Sequence, residues 1–299
     1  MIITPFLFPK SHSSAKNTRI SLLRGNVQKC KVKVDGIILV LSCTKYINTR
    51  LQQFKLPNDN YGNWKVIYVI GDLFLDSDYK MNGNLMTVKC EDSYIHLLKK
   101  LVLALKHIYN LYDIKEGVLR CGDDLIFNEQ LLQLFLQSNK FDFMGKSPSR
   151  RSLFKENITT NMLKTTIHDN FMVDYYSTHP EDFNNPQHNL KGVDIRKYTK
   201  RPRIDIGPAG MIYYISNKSC RILINHLENI KYNIFHFDKT SQSYPYTIED
   251  CAVSYILYSY KISFIHVNNM YSNHPSNNAI VYHTNMYKNA DNTNKNICI

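Results

Sequence analysis

Val118-Leu119-Arg120-Cys121-Gly122-Asp123-Asp124-Leu125-Ile126-Phe127-Asn128 is an apolar run broken by two adjacent carboxylates. A short apolar stretch of this kind reads as a buried strand, with the charged interruption at its mouth. Carboxylates beside a hydrophobic sheet are costly unless a cation or hydrogen-bond donors compensate them. Two neighbouring Asp at a strand end therefore form a candidate site for a hard divalent ion. Gly-Asp-Asp is also a common turn, so the surrounding segments decide between the two.

On the N-terminal side, Gly36-Ile37-Ile38-Leu39-Val40-Leu41-Ser42 is nearly continuously apolar, as expected of a strand covered on both faces. Ser42-Cys43-Thr44-Lys45 then supplies hydroxyls and a cation where a first βα loop would stand, the usual ligand edge of an open α/β sheet. The loop has no Gly-rich phosphate fingerprint. Trp64–Gly71 reads as a second strand. From Tyr94 to Tyr109, apolar residues recur every three or four positions, marking one face of a long helix that Asp92 or Ser93 would cap. Glu129–Gln137 reads as a helix and Phe141–Gly145 as a strand.

Residues 146–205 are polar and mixed, with scattered His168, His179 and His188 in no metal-ligand spacing. After the break at Gly207-Pro208-Ala209-Gly210 come an apolar Met211–Ile215 and a helix capped by Ser216 or Asn217. Ile248-Glu249-Asp250 opens another helix, where first-turn carboxylates suit the macrodipole and one could instead serve as a general base. Lys261–Val267 reads as a last strand, followed by an Asn-rich loop and Val281-Tyr282-His283.

The charge of +12 from 37 basic and 25 acidic residues favours anionic partners, but the basic residues are scattered. Only Ser149-Arg150-Arg151 and Lys197–Arg203 form local clusters. Seven cysteines without a C-x-x-C spacing read as reduced, buried small hydrophobes. No stretch approaches 18 consecutive apolar residues, and Met1–Lys10 is too short and too Pro-broken for a signal peptide. The expectation is a protein of the cytoplasm with no transmembrane segment.

The order of these segments resembles the β-1,3-galactosyltransferase and Fringe superfamily of glycosyltransferases. Ile38–Ser42 with Thr49-Arg50 is similar to the family's first strand and following Arg. Asp92-Ser93-Tyr94 with Leu97 and Lys99 resembles its D-S-Y-x-N-L-x-x-K segment. Leu119–Phe127 resembles the strand with its D-D-D motif, Gly207–Ser216 its G-x-G-Y-v-l-S segment, and Ile248-Glu249-Asp250 its E-D-V motif. Gly122 stands where the family has the first Asp of its triple, and His96 where it has Asn. The chain also lacks the membrane anchor and disulfides usual in that family.

The resemblance implies an α/β GT-A fold, a Rossmann-like mixed sheet flanked by helices in a single domain. It would span residues 34–283, with 34–145 the nucleotide-sugar half and 146–283 the acceptor half, between an N-terminal arm (1–33) and a polar tail (284–299). The implied activity is that of an inverting hexosyltransferase using a UDP-sugar, Mn2+ or Mg2+, and a glycan or glycoprotein acceptor, with no nucleic acid as partner. Asp124 would bind the metal, with Asp123 and a C-terminal His, His283 before His274. Asp250, beside Glu249, would be the catalytic base. Ser42, Thr44, Arg50, Lys99, Arg120 and Asp123 would contact the nucleotide. Two other readings stand beside it. One is a degenerate, non-enzymatic nucleotide-sugar or glycan binder, suggested by Gly122. The other is a palm-type nucleotidyl transferase, suggested by Gly-Asp-Asp and the basic charge.

Overall fold

The computed structural model describes residues 30–53, 60–148 and 162–283. Its strands and helices run in the order β1 (Val32–Leu41), α1 (Arg50–Gln53), β2 (Asn60–Tyr61), β3 (Trp64–Gly71), β4 (Tyr79–Asn82), β5 (Leu85–Val88), α2 (Leu97–Leu111), β6 (Tyr112–Cys121) and β7 (Leu125–Phe127). Then come α3 (Glu129–Gln137), β8 (Phe143–Gly145), β9 (Thr166–His168), α4 (Phe171–Thr178), α5 (Pro180–Phe183) and β10 (Lys200–Pro202). The chain continues through β11 (Ile212–Ser216), α6 (Asn217–Asn229), α7 (Glu249–Ser259), β12 (Ile265–His266), β13 (Tyr271–Ser272) and β14 (Val281–His283).

A mixed sheet in the order β12-β8-β11-β6-β1-β3-β5-β4 forms the centre, with β2 added beside β3. β1 pairs in parallel with both β3 and β6, and β11 lies antiparallel between β6 and β8. The alternation of β1 explains why both of its faces are apolar. Ile37, Leu39 and Leu41 join one core with α2, α6 and α7, while Ile38 and Val40 join a second with α3 and the segment around Met270–Val281. The same alternation on β6 sends Val118 towards the first core and Leu119 and Cys121 towards the second.

The chain climbs from β1 to β3 to β5 on one side, and α2 then returns it to β6 on the other side of β1. The strand order therefore reverses between β1 and β6, where open α/β sheets bind ligands at the C-terminal ends of the strands. Ser42 follows β1 and Gly122-Asp123-Asp124 follows β6, so both stand at that crevice.

Several expectations need correction. β1 begins at Val32, so the N-terminal arm cannot extend to residue 33; the rest of that arm, residues 284–299 and the Ser149-Arg150-Arg151 cluster lie mostly or wholly outside the described residues. Helix α2 starts at Leu97 and its N-cap, His96, makes no side-chain capping bond. Of the two expected caps, Ser93 accepts His96 N through its hydroxyl at 3.3 Å, one turn ahead of the helix, whereas Asp92 is turned to other donors. The final strand is only Ile265–His266. Of the cysteines, Cys30 is exposed and Cys43 and Cys251 are half-buried, and all six described cysteines are free thiols. Among the described residues, no helix is long and apolar enough to cross a membrane.

Candidate functional site

Asp123 and Asp124 follow β6 directly and diverge. Asp123 points inward, where its Oδ2 accepts the Ser42 hydroxyl at 2.6 Å. Asp124 is more open, and its Oδ2 lies 3.1 Å from Nε2 of His283. His283 arrives there because β14 pairs antiparallel with β7, setting His283 opposite Leu125. Arg50 Nη1 stands 3.6 Å from Asp123 Oδ1 and 4.0 Å from Asp124 Oδ2, with its guanidinium held over the Tyr46 ring at 3.8 Å. Gly122 makes room for this arrangement, since a Cβ there would lie 3.0 Å from Asp124 Oδ1.

The two carboxylates are driven apart electrostatically. Burial raises the Asp123 pKa above its ordinary value, a rise that the Ser42 hydrogen bond and Arg50 only partly oppose. Burial acts on Asp124 too, but the hydrogen bond and charge of His283, with Arg50, outweigh it and lower its pKa. Such divergence within a pair separates the roles its members can take. Asp124 is the more exposed member and the one whose ionised form its surroundings favour.

Beneath this pair, Asp92 acts as a bracket. Its Oδ2 accepts from Thr44 N at 2.6 Å, and its Oδ1 accepts from Gly71 N at 2.8 Å and lies 2.5 Å from the Lys100 ammonium. Lys100 also donates to Ser42 O at 2.8 Å, and the Thr44 hydroxyl donates to Gly71 O at 2.9 Å. The ends of β1 and β3 are thus pinned to α2 at the crevice. Sequence reasoning missed Lys100, although a lysine inside the apolar stripe of α2 was a readable signal. Lys99, the neighbour expected to contact the nucleotide, instead pairs with Glu91 Oε2 at 2.7 Å.

Arg120 and Glu249 also differ from expectation. The alternation of β6 turns Arg120 into the core, where its Nη2 lies 3.0 Å from Glu249 Oε2 and its Nη1 donates to Gly210 O. Its Nε has no hydrogen-bond partner. Glu249 also accepts from the Tyr213 hydroxyl, and both members of the ion pair are buried. Burial raises the Glu249 pKa against the opposing pull of Arg120. These two groups position the site from within and are closed to a nucleotide or acceptor.

Asp250 is half-exposed. Its Oδ1 accepts from Cys251 N at 2.7 Å, and its Oδ2 faces Gly210, where a Cβ would come within 3.2 Å. The next residue, Met211, accepts Gly122 N at 2.9 Å through its carbonyl. Gly210 and Met211, adjacent in the chain, therefore link Asp250 to the Asp123–Asp124 turn. Arg201 also lies near Asp250 and is held by Asp169 through Nε at 2.8 Å. Burial works against the Arg201 charge, but Cys251, Asp169 and Asp250 more than offset this and raise its pKa. Sequence reasoning left Arg201 in a surface cluster.

Among the described residues, no group of three or more His, Cys, Asp or Glu side chains is arranged to hold a metal ion. Asp123, Asp124 and His283 consequently do not converge as a three-ligand set, because Asp123 is committed to Ser42 and Arg50. The second candidate, His274, lies in an exposed loop. Asp124 and His283 remain as a pair of donors from two elements. Their 3.1 Å separation is that of a hydrogen bond in which Nε2 donates to the carboxylate, so a cation held by both would have to displace that proton. Magnesium is commonly held by one or two carboxylates with substrate phosphates completing the shell, so a complete protein cage is not required.

No family model matches this chain, and no curated protein matches it.

Proposed function

We propose that the chain is a metal-dependent, inverting glycosyltransferase of GT-A type that transfers a sugar from a UDP-sugar to an acceptor hydroxyl. One observation carries this reading. At the crevice where the strand order reverses, a half-exposed Asp124 with His283 and Arg50 is joined through the adjacent Gly210 and Met211 to a second half-exposed carboxylate, Asp250. A phosphate-bearing donor and a hydroxyl-bearing acceptor call for these two separate polar groups. The mixed sheet flanked by helices supports the fold assignment.

A divalent cation bound by Asp124 and His283 would offset the charge of the departing diphosphate as a Lewis acid. Arg50 adds a fixed cation at the same edge. Ser42 and Asp123 hold the turn in place behind them. Asp250 accepts the acceptor proton as that oxygen attacks the anomeric carbon. Its Oδ1 is anchored by Cys251 N–H, which leaves Oδ2 for the proton. The new C–O bond forms on the face opposite the breaking bond to the diphosphate, so the configuration inverts, by analogy with inverting hydrolysis.

Release of UDP from UDP-sugars tests these roles. Asp250→Asn is expected to lower turnover on the order of 10²- to 10⁴-fold, the usual contribution of a general base. Asp124→Asn is expected to remove the Mn2+ response. Asp250→Asn should keep the wild-type unfolding midpoint, Asp124→Asn should fold with a lower one because it loses the charge that His283 and Arg50 meet, and unchanged turnover in either would remove that residue from the mechanism.

A second reading, a nucleotide-sugar binder without turnover, is favoured by Arg50, which already neutralises part of the carboxylate charge, and by Gly122. UDP binding without metal-dependent cleavage of any UDP-sugar would select it. The palm-type reading lacks such support, because β6 and β7, the strands that flank Gly122-Asp123-Asp124, lie in different sheets.

A further inference from the structure

Among the described residues the segment 162–283 contributes more than a cover to the ligand edge. Gln187 receives Leu73 N at 2.8 Å through its side chain and Asp92 N at 3.1 Å through its carbonyl. These bonds fasten the segment to the ends of β3 and β5. From it, α4 projects Phe171 and Tyr175 against Tyr94. The Tyr94 ring stacks on Tyr175 with centroids 5.3 Å apart and 28° between planes, and meets Phe171 at 5.6 Å. Tyr175 is itself stacked on His179 at 4.3 Å, and its hydroxyl is tied to Asp182 at 2.7 Å. This is a fixed aromatic stack, yet Tyr94 remains 42% exposed.

Its surroundings are acidic. Burial of its hydroxyl end, with the charges of Asp250, Glu249 and Asp124 and against that of Arg120, holds the Tyr94 phenol well above its ordinary range. The ring therefore stays neutral and lies within electrostatic reach of both open carboxylates.

We propose that Tyr94, backed by Tyr175 and Phe171, is the platform on which a pyranose ring of the acceptor is seated beside Asp250. A pyranose has an apolar face of axial C–H bonds that suits an aromatic ring, and a rim of hydroxyl donors that suits neighbouring carboxylates. The stack explains how the ring is preorganised, since Tyr94 needs no ordering on binding. This inference rests on the sugar-transfer reading of the site and names its acceptor class.

Saturation-transfer NMR with methyl β-galactopyranoside, methyl β-glucopyranoside, N-acetylglucosamine and lactose tests it in the absence of nucleotide and metal. At least one should receive saturation on the protons of a single ring face. Its binding should weaken about tenfold in Tyr94→Ala, the upper range for one aromatic contact, and be retained in Tyr94→Phe and Asp124→Asn. Should Tyr94→Ala fail to fold, Tyr94→Leu keeps the apolar packing and removes the π face. The proposal is overturned if no pyranoside binds, if binding survives loss of the ring, or if uridine alone competes at Tyr94 as a stacked base. Pyranoside binding without UDP release would retain the platform and reject sugar transfer; UDP release without pyranoside binding would do the reverse.

Discussion

Asp123 and Asp124 are neighbours in sequence, but their chemistry is set by partners far along the chain. Ser42 reaches them from the end of β1 and Arg50 from the start of α1, and His283 is 159 residues beyond Asp124. The adjacency of the carboxylates was legible; the assignment of one to the interior and one to the opening was not, because it depends on which donors meet each oxygen. Arg120 and Glu249 were misread for a related reason. Their motif positions are intact, but β6 alternation and the start of α7 aim the two side chains at each other. The Asp124 environment predicts a pH signature. Its folded pKa is lowered from 3.8 chiefly by the His283 hydrogen bond overcoming burial. A depressed carboxylate pKa contributes stability that is present above the unfolded value and lost as pH falls through the folded one. The wild type should therefore exceed His283→Ala in unfolding stability at pH values above 3.8, and the difference should close below it. Denaturant melts across pH 2–7 in steps of about one unit would check this, and a gap that widens on acidification below that value would contradict it.

Elements that satisfy their own backbone and bury a regular stripe were readable. Strand β3 runs over Trp64–Gly71 and α3 over Glu129–Gln137, with Asn128 capping α3 by accepting Leu131 N at 3.2 Å. The Ser216 cap of α6 was legible by the same rule, as its side chain accepts Ser219 N. Residues 162–205 were opaque because their short elements, such as α5 and β10, depend on tertiary ties through Gln187, Asp182 and Asp169. The turn into α2 was legible at Ser93, whose hydroxyl accepts His96 N, but not at Asp92, which serves Thr44, Gly71 and Lys100 instead. That bracket is the element-scale test. Lys100→Met leaves Asp92 as a buried carboxylate without its cation, a change that costs about 3–5 kcal/mol. The unfolding midpoint should fall by roughly 6–20 °C. A midpoint within about a degree of wild type would show that the joint between β1, β3 and α2 is held by other contacts.

At the scale of the molecule, the net charge of +12 does not gather into a groove along the described basic cluster. Arg196 pairs with Asp194 at 3.0 Å, Arg203 with Asp205 at 2.7 Å, and Arg201 with Asp169. What the sheet does gather is one edge at the reversal between β1 and β6, where the Asp124 group is joined to Asp250 through Gly210 and Met211. The topology could be read only coarsely from sequence, because the pairing of β11 between β6 and β8 leaves no local mark. The central claim is that this edge binds a nucleotide sugar through a divalent cation at Asp124. Thermal unfolding of the wild-type protein with a panel of UDP-sugars, with and without Mn2+, tests it most directly. At a hundredfold excess over the dissociation constant, a ligand of the folded state adds about 2.7 kcal/mol. A rise of about 5–11 °C is expected for at least one UDP-sugar with Mn2+ present, and little or none without it. The same midpoint with and without Mn2+ for every UDP-sugar would contradict it.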